Sequence, residues 1–263
     1  MRTRSFLTAL VPVLMAGLFA PVVSAETIRV GVTSGPHAQI VEALVPIAQA
    51  HGLDVKVIEF SDGTLINSAT QEGEIEANAF QHAPYLDRQN LDRGLDIVSV
   101  GRTVLIPMAA FSKKHKTLAD LPEGATIAIP NDPTNSGRAL KLLEQGGLIT
   151  LKPGIGFNAT ELDIVGNPKH LEIRQLQATQ VPRSLDDADL AVINSNYAIL
   201  AGLDPIRDSL IRENDRSRYF CLIGVRRADA GKPWVKTLVA AYRSPEVKAF
   251  VERTFGGNVI AGW

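Results

Sequence analysis

The sequence predicts an α/β protein with two lobes that are joined by two extended segments. Short runs rich in β-branched residues alternate with apolar, helix-length segments in two blocks, roughly residues 27–107 and 112–215. Strands that alternate with helices form parallel sheets, so each block predicts a sheet of its own. Two longer strands, predicted at residues 104–111 and 220–225, are the candidates for the segments that cross between the blocks.

The domain boundaries follow from this alternation. Residues 26–107 are predicted to form the first lobe, and residues 108–221 the second. Two amphipathic helices, predicted at residues 234–242 and 245–254, are expected to return to the first lobe, which therefore also takes residues 222–263. Small molecules bind preferentially between such units, so a ligand is expected in the cleft between the lobes.

Residues 1–25 have the pattern of a secretory signal peptide. Arg2 and Arg4 form a basic start, residues 6–20 are uncharged and mostly apolar, and residues 23–25 offer small side chains before the expected cleavage. The alternative, an uncleaved membrane anchor, is disfavoured because the apolar run is short for a bilayer span. The protein is therefore expected in the periplasm. No cysteine lies near the cleavage site, so no lipid anchor is expected on this chain.

Composition excludes several classes of partner. The 263 residues carry a formal net charge of −1, which provides no electrostatic attraction for nucleic acid. The single cysteine, Cys221, cannot form an internal disulfide and is expected to be a small buried residue. No group of cysteines and histidines has metal-ligand spacing, so neither a metal nor another cofactor is expected.

The first lobe offers an aromatic cluster at the end of a predicted strand. Phe80 and His82 lie two residues apart and so share one face of that strand, and Tyr85 follows in the first turn of the next helix. These side chains suit an apolar or thioether group, although a packed aromatic core with one satisfied histidine is the alternative interpretation. His37, just after a Gly-Pro turn, is expected to be exposed at a helix start.

The second lobe offers polar groups that suit the head group of an amino acid. Arg138 is predicted in the first turn of the helix that follows the turn at residues 131–135, where a guanidinium and free N–H groups could receive a carboxylate. Asn194 follows a predicted strand directly, and its amide can both donate and accept. The alternatives are a surface arginine, and an asparagine that serves only turn formation.

Motifs of catalysis are missing from the sequence. It contains no Gly-x-Ser-x-Gly elbow, no phosphate-binding loop and no dinucleotide fingerprint. This pattern favours a binding protein over an enzyme.

The sequence resembles the methionine-binding MetQ/NlpA family of receptors for ABC importers. The most specific stretch is IPNDPTNSGRAL at residues 129–140, together with FQHAPYLD at residues 80–87. Further similar segments lie at residues 30–37, 112–116, 182–187, 192–198 and 261–263, so the likeness spans the predicted mature chain.

The resemblance implies a two-lobed periplasmic-binding-protein fold of type II and a role as the monomeric substrate-binding component of an ABC importer. Its ligand would be methionine or a related amino acid, and its partner a permease/ATPase complex at the inner membrane. The resemblance implies that Arg138 holds the ligand carboxylate and Asn194 the head group, with Asn135 beside them. Phe80, His82 and Tyr85 would surround the side chain, and closure of the lobes would bring these groups together.

Two positions depart from the family pattern. Gly63 stands where the family usually has an aromatic ring that stacks on the ligand, and Cys221 stands where it often has an asparagine. Loss of the ring removes about 0.5–1.5 kcal/mol of contact, and loss of a polar partner costs about 1–3 kcal/mol. A larger ligand that fills the space at Gly63, such as a different amino acid or a short methionine-containing peptide, is therefore an alternative. An exported enzyme acting on an amino-acid derivative, and a pure interaction module, are the alternatives of other classes.

Overall fold

The computed structural model describes residues 26–156, 158–215 and 217–263. The predicted signal peptide lies outside these residues. Within them, the strands in chain order are β1 (Glu26–Thr33), β2 (Leu53–Phe60), β3 (Ala77–His82), β4 (Ile97–Arg102), β5 (Val104–Leu105), β6 (Ala109–Phe111), β7 (Thr126–Pro130), β8 (Thr150–Leu151), β9 (Ile164–Gly166), β10 (Glu172–Leu176), β11 (Leu190–Ile193), β12 (Ile211–Arg212), β13 (Cys221–Arg226) and β14 (Ile260–Ala261). The α-helices are α1 (Pro36–Ala50), α2 (Ile66–Glu72), α3 (Ala83–Arg93), α4 (Pro133–Gln145), α5 (Ser195–Leu200), α6 (Pro233–Tyr242) and α7 (Pro245–Phe255).

Two mixed five-stranded sheets organise the chain, which confirms the predicted α/β class. The first has the strand order β2-β1-β3-β13-β4, in which β1 lies parallel to β2 and β3, and β13 is antiparallel to β3 and β4. The second has the order β10-β7-β11-β6-β12, in which β7 lies parallel to β10 and β11, and β6 is antiparallel to β11 and β12. Each sheet thus combines three parallel strands with an antiparallel strand next to them.

The chain crosses between the sheets twice, first in a segment that overlaps the predicted one at residues 104–111, and then just before the predicted segment at residues 220–225. The predicted strand at residues 104–111 is divided into β5 and β6, because Pro107 has no N–H and the neighbouring backbone groups bond to side chains instead. Arg138 donates to the carbonyl of Ile106, and the N–H of Met108 donates to Glu213. The predicted second crossing at residues 220–225 is instead β13, an inner strand of the first sheet, and the chain crosses between β12 and β13.

Both sheets are covered by apolar side chains on both faces. Helix α1 contributes Ile40, Val41 and Leu44, at helical spacing, to a core shared with β1, α6 and α7. In β7, Ile127 and Ile129 enter one core of the second sheet, while Ala128, pointing the opposite way, enters the core on the other face. Strands buried on both faces read as continuous apolar runs, which is why β7 and β11 were recognisable in the sequence.

A buried amide network fixes α2 against β3. The Asn67 and Gln81 side chains exchange hydrogen bonds of 2.8 and 2.6 Å, and Gln81 also donates to Asn78 at 2.8 Å. Asn78 donates in turn to the Thr70 hydroxyl at 2.8 Å. A β-carbon at Gly224 of β13 would lie 2.8 Å from the Asn78 oxygen, so glycine is needed beside the network. Because Gln81 lies between Phe80 and His82, this network holds the strand that carries both residues.

Among the described residues, no helix is both long and apolar enough to cross a membrane.

The amide network makes a stability prediction. We expect Asn67→Leu to lower the free energy of unfolding by about 2–6 kcal/mol, because the Gln81 and Asn78 amides each lose a buried partner at about 1–3 kcal/mol. Urea denaturation measures the change. Glu72→Leu, at an exposed position of the same helix, is the control and should change stability by less than about 0.5 kcal/mol. Equal losses in the two variants would contradict the role of the network.

Candidate functional site

A cavity of about 120 Å³ lies where the carboxyl ends of the parallel strands of both sheets face each other. Ligands of open α/β sheets bind at this edge. The first sheet supplies Thr33 at the end of β1, Asp62 and Gly63 after β2, and His82 at the end of β3. The second sheet supplies the residues that follow β7, β10 and β11, and the complete lining is Thr33, His37, Asp62, Gly63, Thr64, Phe80, Gln81, His82, Tyr85, Ile106, Asn131, Asp132, Asn135, Arg138, Gln177, Ala178, Thr179, Asn194, Asn196, Tyr197 and Cys221.

The junction of β3 and α3 forms the aromatic wall. His82 caps α3, and its Nδ1 accepts a hydrogen bond from the Tyr85 N–H at 3.2 Å. Since Nδ1 accepts, Nε2 carries the proton and donates to the Asn135 side-chain oxygen at 3.2 Å. The ring of Tyr85 meets those of Phe80 and His82 edge to face, with centroids 6.0 and 6.2 Å apart. Capping therefore fixes both the tautomer of His82 and the position of Tyr85.

The start of α4 sets the direction of Asn135. Asp132 caps the helix by accepting from the Asn135 N–H at 3.0 Å, and the Asn135 Nδ2 donates to both carboxylate oxygens of Asp132. The amide oxygen of Asn135 therefore faces the cleft, where it also accepts from the Asn194 Nδ2 at 2.9 Å. The carboxylate of Asp132 therefore takes the Asn135 N–H, one of the groups expected to be free for a ligand carboxylate at this helix start.

Arg138 lies in the second turn of α4 rather than the first, and it is 3% exposed. The alternative of a surface arginine is therefore excluded. Its Nε and Nη2 donate to the two carboxylate oxygens of Glu213 at 2.8 and 2.5 Å, and Nη2 also donates to the Ile106 carbonyl at 3.0 Å. The guanidinium lies 4.3 Å from the ring centroid of Tyr219. Nη1 has no hydrogen-bond partner among the residues that the structure describes, so it is the nitrogen that remains for a ligand.

Three buried polar atoms of the cavity wall also have no hydrogen-bond partner within the described parts of the chain. They are the side-chain oxygen of Asn194, the hydroxyl of Thr33 and Nδ1 of His37. Burying a polar atom without a partner costs about 1–3 kcal/mol, so such atoms at a cavity mark places for a bound molecule or water. The Asn194 oxygen is an acceptor near Arg138, and the two together suit the ammonium and carboxylate groups of an amino acid.

Gly63 and Cys221, the two departures from the family pattern, both line the cavity. A β-carbon at Gly63 would lie 2.5 Å from the ring of Phe80, so that ring occupies the space expected to be open for a larger ligand. Cys221 is buried, as expected, and its thiol lies 3.8 Å from the Phe80 carbonyl. Burial raises the pKa of this thiol to about 12, so it stays protonated and neutral.

All the site residues predicted from the sequence therefore line one cavity: Gly63, Phe80, His82, Tyr85, Asn135, Arg138, Asn194 and Cys221. His37 is 3% exposed rather than exposed as expected, because the turn at Gly35 directs the start of α1 into the cleft. Glu213 and Tyr219 gave no sequence signal, since both lie in the irregular segment between β12 and β13. A buried arginine requires an acidic partner, but this requirement alone does not identify which acidic residue supplies it.

Two α/β sheets that face each other across a ligand-sized cavity, and between which the chain crosses twice, define a two-lobed solute-binding protein. The chain belongs to the NlpA lipoprotein family, whose model matches residues 28–263. The resemblance and the two-lobed fold predicted from the sequence are thereby confirmed.

Characterised relatives cover nearly the whole chain. It is 48% identical over 239 residues to the D-methionine-binding lipoprotein MetQ of Salmonella typhimurium, which covers 90% of this chain and 88% of the relative. A nutrient binding protein from Burkholderia cenocepacia bound to methionine is 49% identical with a TM-score of 0.88, over 90% of this chain and 100% of that one. A periplasmic substrate-binding protein of an ABC transporter from Coxiella burnetii is 46% identical with a TM-score of 0.87, over 89% and 100%. These relatives are named for binding, which agrees with the prediction of a binding protein rather than an enzyme.

Buried neutral histidines predict a loss of stability in mild acid. Burial lowers the pKa of His37 to about 4, and burial together with the charge of Arg138 lowers that of His82 to about 3. As the pH falls below about 6.5, the unfolded chain binds protons on these residues before the folded chain does, so stability decreases. Between pH 6.5 and 5 we expect a loss of about 1.6 kcal/mol per histidine, measured by urea denaturation at each pH.

Removing one histidine should reduce this loss by half. His37→Gln is therefore expected to lose about 1.6 kcal/mol between pH 6.5 and 5, where the unmodified protein loses about 3 kcal/mol. The same pH slope in both proteins would show that His37 is not buried in its neutral form.

Proposed function

We propose that this chain is the substrate-binding component of an ABC importer and that it captures methionine or a related amino acid in the periplasm. The observation that supports the ligand class is the composition of the cavity. A buried arginine and an amide from the second sheet face an aromatic wall from the first. The names of the methionine-binding relatives support the same ligand.

The proposed ligand pose follows from the groups that remain available. The ligand carboxylate binds Nη1 of Arg138, and the ammonium group donates to the unpartnered oxygen of Asn194. The side chain then lies against Phe80 and Tyr85, where a thioether gains sulfur–aromatic contacts. His82 supports the pose as a neutral residue, because a protonated imidazole in its place would repel the ligand ammonium.

The volume of the cavity fits a ligand of this size. A single water needs a cavity of roughly 10–15 Å³, so a cavity of about 120 Å³ has room for a small molecule rather than for one water.

We further propose that the ligand stabilises a closed arrangement of the lobes, with residues 26–107 and 221–263 on one side and residues 108–220 on the other, since Cys221 begins β13 of the first sheet. Hydrogen bonds already cross the cleft from His82 to Asn135 and from Gln177 to Asp62, the latter at 3.2 Å. A ligand shifts the equilibrium only through contacts that exist in one state, and Arg138 and Tyr85 come from opposite sides. The closed monomer then docks on the membrane permease.

The MetQ relative of Salmonella typhimurium is named a lipoprotein, whereas Cys221, the single cysteine of this sequence, is buried beside the cavity and is unsuitable for lipid attachment. We propose that the exported protein acts without a lipid on cysteine.

A different amino acid, or a short methionine-containing peptide, is the second candidate. One observation favours it: Cys221 places a neutral thiol, a weak hydrogen-bonding group, where an amide would strengthen binding of the head group.

Binding of methionine can be measured directly. We expect L-methionine at 100 times its Kd to stabilise the protein by about 2.7 kcal/mol, seen as a higher Tm. Asn194→Ala and Arg138→Ala remove groups that bond to a charged ligand, at about 1.5–3 kcal/mol each, so calorimetric titration should show affinity at least about tenfold weaker.

Gln39→Ala, on the exposed face of α1, is the control and should bind like the unmodified protein. No Tm shift with L-methionine in a folded protein would reject methionine as the ligand. Undiminished binding by folded Arg138→Ala would reject the carboxylate role of this arginine.

The effect of the thiol can be tested by restoring the amide. Cys221→Asn is expected to tighten methionine binding by about tenfold, because one hydrogen bond to a buried head group adds about 1–1.5 kcal/mol. Cys221→Ala, which removes the thiol without adding a donor, should change Kd by less than about threefold. Equal Kd values for the asparagine and alanine variants would instead mean that this position does not contact the head group.

A further inference from the structure

Glu213 lies behind the arginine that faces the ligand. Arg138 lines the cleft cavity and also a second pocket on the surface of the same lobe, and Glu213 is part of that second pocket. The guanidinium therefore separates the cleft from a carboxylate that is itself only 8% exposed. A charge buried this deeply next to a binding site affects the ligand through the low local dielectric.

The structure holds Glu213 in place independently of the ligand. Its Oε2 accepts from the Met108 N–H at 2.9 Å as well as from Arg138, and its own N–H donates to the Met108 carbonyl at 2.9 Å. These bonds join the two segments at which the chain crosses between the sheets. Because three N–H groups fix the carboxylate, it remains beside Arg138 while a ligand enters and leaves.

Glu213 also determines how the arginine meets a ligand. Its carboxylate occupies the edge of the guanidinium formed by Nε and Nη2, which is the edge best suited to a bidentate carboxylate pair. A ligand carboxylate is left with Nη1 alone. The pair Arg138–Glu213 has no net charge, and two further carboxylates, Asp62 and Asp132, line the cavity.

We infer that Glu213 is a specificity-determining residue, which cancels the charge of Arg138 so that the cleft selects a zwitterion over an anion. This inference rests on the proposed function, in which Arg138 binds the ligand carboxylate. An unpaired buried guanidinium would favour any carboxylate of suitable shape. The neutral pair instead requires the ligand to bring its own positive charge, which the Asn194 oxygen receives.

Three ligands of nearly equal size separate charge from shape. L-methionine is a zwitterion, 4-(methylthio)butanoate lacks the ammonium group and is an anion, and L-methioninamide lacks the carboxylate charge and is a cation. Calorimetric titration of each against the unmodified protein, Glu213→Gln and Glu213→Asp gives three sets of Kd values. Glutamine keeps an acceptor for the Met108 N–H but removes the charge, whereas aspartate keeps the charge.

In Glu213→Gln we expect the ratio of the Kd for 4-(methylthio)butanoate to the Kd for L-methionine to fall by at least about tenfold. Tenfold corresponds to 1.4 kcal/mol. Binding of L-methioninamide should weaken relative to L-methionine. In Glu213→Asp the ratios should stay within about threefold of the unmodified protein, even if all three ligands bind less tightly.

Ratios that remain constant in Glu213→Gln while overall affinity falls would show a purely structural role and overturn the inference, leaving the proposed function intact. If Glu213→Gln does not fold, the unmodified protein decides: it should bind L-methioninamide more tightly than 4-(methylthio)butanoate, and the reverse order overturns the inference. Failure of the unmodified protein to bind L-methionine would reject the proposed function and this inference with it.

Discussion

Arg138 carries a positive charge into the interior of the second lobe, and the structure around it is organised to compensate that charge. An ion buried without partners costs several kcal/mol, so the guanidinium is bonded to Glu213 and to the Ile106 carbonyl and packs beside the Tyr219 ring. These partners all come from the two segments that cross between the sheets. The same bonds explain why the strand predicted through residues 104–111 is interrupted. The ligand-facing arginine and the crossings between the lobes therefore form one bonded unit.

A chain of amides extends this order across the cleft. Asp132 fixes the direction of Asn135, whose oxygen then accepts from both His82 and Asn194. Asn194 consequently uses its nitrogen within the protein and leaves its oxygen for a ligand. The helix cap at Asp132 thus determines which atom of the Asn135 amide faces the cleft. Reversing this amide would place a donor opposite the His82 proton. Such networks stabilise one arrangement most strongly when every member is satisfied, and here the Asn194 oxygen is the member without a partner among the described residues.

The position of the Phe80 ring in the aromatic wall depends on the absence of a side chain at Gly63. The Phe80 ring lies in the volume that a side chain at Gly63 would need, and it contacts Tyr85 edge to face. The Phe80 ring of β3 therefore fills the volume beside the glycine in the turn after β2. The amide network beneath β3 keeps Phe80 and His82 in register with Cys221, which pairs with His82 across the sheet.

The sequence by itself determined the α/β class, the two blocks of strands and several of the residues around the cavity. Apolar runs and turn residues follow local rules of backbone geometry, and strand ends such as Phe80–His82 and Asn194 are marked by local pattern. The family resemblance added roles to these positions. It could not show that the helix start at Asp132 was already occupied, because capping depends on which way a side chain turns.

Only the tertiary structure decided which distant groups meet. Glu213 lies 75 residues from Arg138 in the chain, in a segment without periodic pattern, and their pairing depends on how two crossing segments pack. His37 is likewise buried because α1 packs toward α5 across the cleft, which no local signal indicates. Hydrogen bonds between remote side chains arise from three-dimensional proximity. For that reason the sequence identified residues that line the cavity, whereas only the structure identified Glu213, the carboxylate that pairs with Arg138.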